Sequence, residues 1–66
     1  TNEQVISELM AEKEELVGKH SRLNAALALP VSPFTAQHAH LLIQQSHIMR
    51  QYIDILDKRI EDLQDA

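Results

Sequence analysis

Apolar residues recur along the first half of the chain at alternating intervals of three and four. The series is Ile6, Leu9, Leu16, Leu23 and Leu27, with Lys13 and His20 in the two remaining places. That spacing holds one face of a helix against a partner helix, as in a coiled coil. The second half shows the same alternation in His38, Leu42, Gln45, Met49, Tyr52, Leu56, Arg59 and Leu63. Between the halves stands Leu29-Pro30-Val31-Ser32-Pro33-Phe34. It cannot continue a helix, because proline lacks an amide proton and clashes with the preceding turn. No run of β-branched residues alternates with polar ones long enough for a strand. The pattern predicts an all-α fold, a single helical-hairpin domain over residues 1–66. It places a helix at about 2–28, a turn at about 29–34 and a helix at about 35–64.

Asn2 is expected to cap the first helix. The second has two possible starts: Ser32 capping with Pro33 as the first helical residue, or Thr35 capping with Phe34 as the staple before it. Gly18 lies in mid-helix and costs up to about 1 kcal/mol relative to Ala. It is either a tolerated weak spot or a place where a neighbouring helix comes close.

An antiparallel hairpin brings the two series together in one register, with partner numbers summing to 65. Leu9 then meets Leu56, Leu16 meets Met49 and Leu23 meets Leu42. In the layers between, Lys13 meets Tyr52, His20 meets Gln45, Leu27 meets His38 and Ile6 meets Arg59. One partner helix is not enough for the second helix, whose apolar residues, Ile53 and Ile60 among them, spread over an arc of about 160°. Below about 70 residues a chain without disulfides or metals usually gains its core by association. The expectation is a homodimer of antiparallel two-helix hairpins, forming a four-helix bundle. Its interface would hold Leu41, Ile48, Tyr52 and Ile55 near the axis, with Val5, Met10 and Val17 contributing.

Composition removes several functions. The chain has six Lys plus Arg against ten Asp plus Glu, no Cys and no Trp. A disulfide framework or thiolate metal site is therefore impossible. The basic footprint and stacking platform of a nucleic-acid binder are missing. No apolar run is long enough to span a membrane, and no signal peptide is visible, so a cytoplasmic location is expected. His38 and His40 point to opposite sides of a helix, and His40 and His47 lie about 10.5 Å apart along it. No His pair has the spacing of a zinc helix, so no metal and no cofactor are expected. The carboxylates are spaced for solvated faces, and a two-helix ribbon offers little concave volume, so no catalytic residue is assigned. Ile43, beside His47 and Arg50, departs from the buried pattern, and Val31 and Phe34 sit in the turn. These five are the candidate partner-binding residues.

The second half reads Phe34-Thr35, Leu41-Leu42, Gln45, Met49, Tyr52, Ile55-Leu56 and Arg59-Ile60. Upstream stand Glu14-Glu15-Leu16 and Ser21-Arg22-Leu23. This pattern resembles a group of very short bacteriophage helical-hairpin proteins, which includes the anti-quorum-sensing protein of Pseudomonas phages. The resemblance implies a dimeric inhibitor acting in the host bacterial cell. It would sterically block host proteins, such as a LuxR-type quorum-sensing transcription regulator and the type IV pilus assembly ATPase. An alternative is a sponge for cyclic nucleotide immune signals, with Lys13, Lys19, His20, Arg22 and Arg50 supplying phosphate contacts and Tyr52, expected to be buried, as the one stacking ring. A third is a structural coiled-coil subunit.

Overall fold

The computed structural model describes residues Thr1–Asp65. Two helices, α1 (Asn2–Leu27) and α2 (Ala36–Asp65), fold back on each other as an antiparallel hairpin. The molecule is a ribbon of 47 × 15 × 13 Å. No helix of the described residues is long and apolar enough to cross a membrane.

The helix ends follow from local hydrogen bonding. Thr1, not Asn2, caps α1. Its hydroxyl accepts from the Gln4 amide at 3.3 Å, and the Gln4 side chain takes a hydrogen bond from the Thr1 amino group at 3.0 Å. This is a reciprocal capping box, which satisfies two donors where an Asn2 cap would satisfy one. Of the two possible starts for α2, Thr35 is the one used. Its hydroxyl accepts from the His38 amide at 3.1 Å, and its carbonyl accepts from the Ala39 amide at 2.9 Å. Ser32 instead folds the turn, its hydroxyl accepting from the Phe34 amide at 3.2 Å.

The seam of α1 is the one its spacing predicts. Ile6, Leu9, Lys13, Leu16, His20, Leu23 and Leu27 are all buried or half-buried. The seam of α2 is turned relative to expectation. Its covered residues are Ala39, Leu42, Ser46, Met49, Ile53, Leu56, Ile60 and Leu63. The heptad positions of Leu42, Met49, Leu56 and Leu63 stand, but the alternate places belong to Ala39, Ser46, Ile53 and Ile60. His38, Gln45, Tyr52 and Arg59 are exposed. The helix is rotated by about 50–60° from the predicted face. The reason is burial: Ile53 and Ile60 are 4% and 8% exposed, and seating Tyr52 and Arg59 there would have buried a hydroxyl and a guanidinium.

Leu9 still clusters with Leu56, as the expected register has it, but the polar layers are rearranged. His20 meets Ser46 rather than Gln45, at 3.1 Å. Lys13 pairs with Asp57 rather than meeting Tyr52, and Tyr52 reaches Glu12. Leu9 and Leu56 lie together with Ile60, packed by Ile6, Leu16 and Leu63. Gly18 faces away from α2. A Cβ there would meet only the flexible end of Arg22, at 3.2 Å, so no neighbouring helix approaches it within the hairpin.

The core is lopsided. Every fully covered apolar residue (Leu9, Ile53, Leu56 and Ile60) lies in the half of the hairpin away from the turn. In the turn half Leu23, Leu42 and Met49 are only half-buried.

The rotation of α2 makes a direct prediction. Ile60→Ala should cost about 2–4 kcal/mol in chemical denaturation, whereas Arg59→Ala should stay within about 0.5 kcal/mol. The reverse order would restore the face first expected. Gly18→Ala should raise the stability by up to about 1 kcal/mol, because the arginine can swing aside. A loss on thermal melting would place a close neighbour at Gly18.

Candidate functional site

The exposed apolar and polar side chains sort onto two edges of the ribbon and the turn. Along one edge, Glu12, Glu15, Leu16 and Lys19 of α1 and Tyr52 of α2 line an open indentation of about 190 Å³. Tyr52 is 45% exposed there, not buried as expected. Its hydroxyl donates to the Glu12 carboxylate. That hydrogen bond raises the tyrosine pKa above its ordinary value of 10.0; the carboxylate charge and slight desolvation push the same way, and Arg59 opposes them. Lys19 lies 3.4 Å from Glu15, an exposed ion pair one helical turn away that contributes little stability.

The other edge carries a wider groove of about 470 Å³. Met10 and Val17 of α1 and Ile60 and Gln64 of α2 line it, together with the Lys13–Asp57 ion pair. Met10 and Val17 therefore sit with charged residues, on a different edge from Tyr52. Of the residues expected in one dimer interface, Tyr52 lines the first indentation and Met10 and Val17 the second.

Among the candidate partner-binding residues, Val31 is 83% exposed and Ile43 45%. Ile43 flanks the seam rather than lying opposite it, since it follows the covered Leu42. His47 is exposed, and Arg50 pairs with Asp54 at 3.6 Å. Phe34 is half-buried and packs its ring against His38 at 5.6 Å between centroids. Four of the five, Val31, Phe34, Ile43 and His47, lie in a stretch without acidic residues, lysine or arginine. No Asp, Glu, Lys or Arg occurs between Arg22 and Arg50. The turn half of the hairpin is formally uncharged, and it exposes Leu29, Val31, Leu41, Ile43 and Ile48.

Besides the Lys13–Asp57 pair, the seam carries a polar cluster at His20. Ser46 donates to Asn24 Oδ1 at 2.7 Å, which uses its only proton. Its 3.1 Å contact with His20 Nε2 then requires that nitrogen to donate. Asn24 Nδ2, 3.3 Å from the same nitrogen, can donate only if it is bare. The three contacts cannot all be hydrogen bonds at once, so His20 chooses between Ser46 and Asn24 by its tautomer. Among the described residues no group of three or more His, Asp or Glu is placed to hold a metal ion.

A family model described as Sequestin matches residues 3–62. The chain belongs to the Sequestin family. No curated protein and no solved structure matches it. The family match spans both helices and the turn, so the whole hairpin is the Sequestin unit. The name denotes a sequestering protein, one that acts by binding a partner.

Tyr52 is the single tyrosine and the chain has no tryptophan, so its ionisation can be followed by ultraviolet absorbance. The midpoint should lie above the ordinary tyrosine value, and Glu12→Gln should bring it back down. The raised value means the folded form favours the neutral phenol. This contribution is present below the unfolded pKa and is lost as the pH rises through the folded one. A midpoint unchanged by Glu12→Gln would remove the hydrogen bond from the account.

Proposed function

We propose that the protein acts by sequestration, without catalysis. Paired hairpins hold a phosphate-bearing signalling molecule, of the cyclic nucleotide class used as immune signals, and keep it from its receptor. Membership of the Sequestin family carries this reading. The exposed ring of Tyr52 beside Lys19 supports it, because a base can stack on the ring while the ammonium meets a phosphate. The Glu12 and Glu15 carboxylates beside them are acceptors for ribose hydroxyls. An open indentation of about 190 Å³ cannot bury most of a nucleotide, as a tight site must. The second wall has to come from another chain. The working unit is accordingly a homodimer, acting in the cytoplasm of a bacterial host infected by the phage that encodes it.

The uncharged turn half supports a second reading, steric inhibition of a host protein such as a transcription regulator or the pilus ATPase. There Val31, Phe34, Ile43, His47 and Arg50 would be the contacts, and an apolar patch of this kind is suited to protein docking.

Thermal shift with a panel of cyclic mono- and dinucleotides separates the two. A ligand at a hundred times its dissociation constant stabilises the folded state by about 2.7 kcal/mol, and Lys19→Ala with Tyr52→Ala should abolish the shift while leaving the hairpin helical. Without a shift from any of the panel, sequestration of cyclic nucleotides is wrong. Capture of a single host protein that Ile43→Glu releases would then establish the inhibitor reading.

A further inference from the structure

We infer that two copies of this chain associate through α2 alone, antiparallel, about a two-fold axis at Ile48. Leu41, Ile48 and Ile55 recur every seven residues and are 51%, 63% and 56% exposed. They lie on one side of α2, about a third of a turn from the seam that faces α1. With Tyr52 they present roughly 400 Å² of mostly apolar surface, the scale at which a patch on a small protein marks a contact.

The stripe pairs with itself. A two-fold axis at Ile48 sets Leu41 against the partner's Ile55, Ile48 against the partner's Ile48, and Gln44 against the partner's Tyr52. A parallel pairing would instead stack Tyr52, Arg59 and Asp62 each on its own copy, placing like charges together. The flanking residues Gln37, Gln44 and Gln51 are uncharged, as the centre of an interface requires. Met10 and Val17, two exposed apolar residues of α1, sit among Lys13, Glu14 and Asp57 on the opposite edge and take no part.

This face gives the proposed sequestration its second chain and so deepens that reading. Tyr52 stands where the stripe meets the indentation, so the partner's Gln44 becomes a wall of the site.

The chain has no cysteine, which permits a test without ligand. Under mild oxidation Ile48→Cys, at the axis, should form a disulfide dimer at least tenfold faster than Val17→Cys or Ile43→Cys. Leu41→Cys mixed with Ile55→Cys should give the heterodimer in preference to either self-pair. Equal rates at Val17 or Ile43 would overturn the face, and failure of the mixed pair would overturn the antiparallel register. A monomer at every concentration in sedimentation would overturn the association itself. Because all five positions are solvent-exposed, folding should survive, and thermal melting checks that it does. Ligand binding is read separately by thermal shift, so the loss of one reading leaves the other standing.

Discussion

Two helices can offer each other only one seam. Everything else in this molecule follows from that constraint. A long helix with a single apolar stripe is satisfied by a single partner, as α1 is by α2. In α2 there are more apolar residues than a seam can take, so the helix must choose which to hide. It hides Ile53, Leu56 and Ile60 and leaves Leu41, Ile48 and Ile55 in water. The choice follows the better core: a full heptad of aliphatic residues against Leu9 and its neighbours outweighs one interrupted by Tyr52 and Arg59. The exposed stripe is the remainder of that division.

The polar layer at His20 has a different logic. An apolar side chain there would pack better and would let the helices slide. His20, Asn24 and Ser46 lock the axial position instead, because only this alignment brings the three within hydrogen-bond reach. Polar seam residues commonly fix register in this way at a cost in stability. Here the cost falls in the turn half of a seam whose fully buried part lies nearer the open end.

The hairpin, its turn, the seam of α1 and the axial register were all legible in the spacing of leucines and the two prolines. The face of α2 was not. Two heptads sharing Leu42, Met49, Leu56 and Leu63 run along that helix, and spacing alone ranks them equally. Counting the apolar character of the alternates, Ala39, Ser46, Ile53 and Ile60 against His38, Gln45, Tyr52 and Arg59, would have separated them. The cap at Thr1 was missed because Asn2 is an equally good capping residue by type. The capping box with Gln4 decides between them. For the candidate site, Ile43 and Val31 were found as outliers of the pattern. The indentation at Tyr52 could not be, because it exists only once α2 has turned that ring outward.

The absence of charge between Arg22 and Arg50 has a kinetic side. Electrostatic steering accelerates encounter by drawing partners together from beyond contact, and it weakens with salt. A neutral, apolar half gains none of this, so what docks there arrives at the unsteered rate, on the order of 10⁵–10⁶ per molar per second. A protein that holds its target through such a surface succeeds by abundance and by slow release. Its capture should also be as effective in the crowded, salty interior of a cell as in dilute buffer.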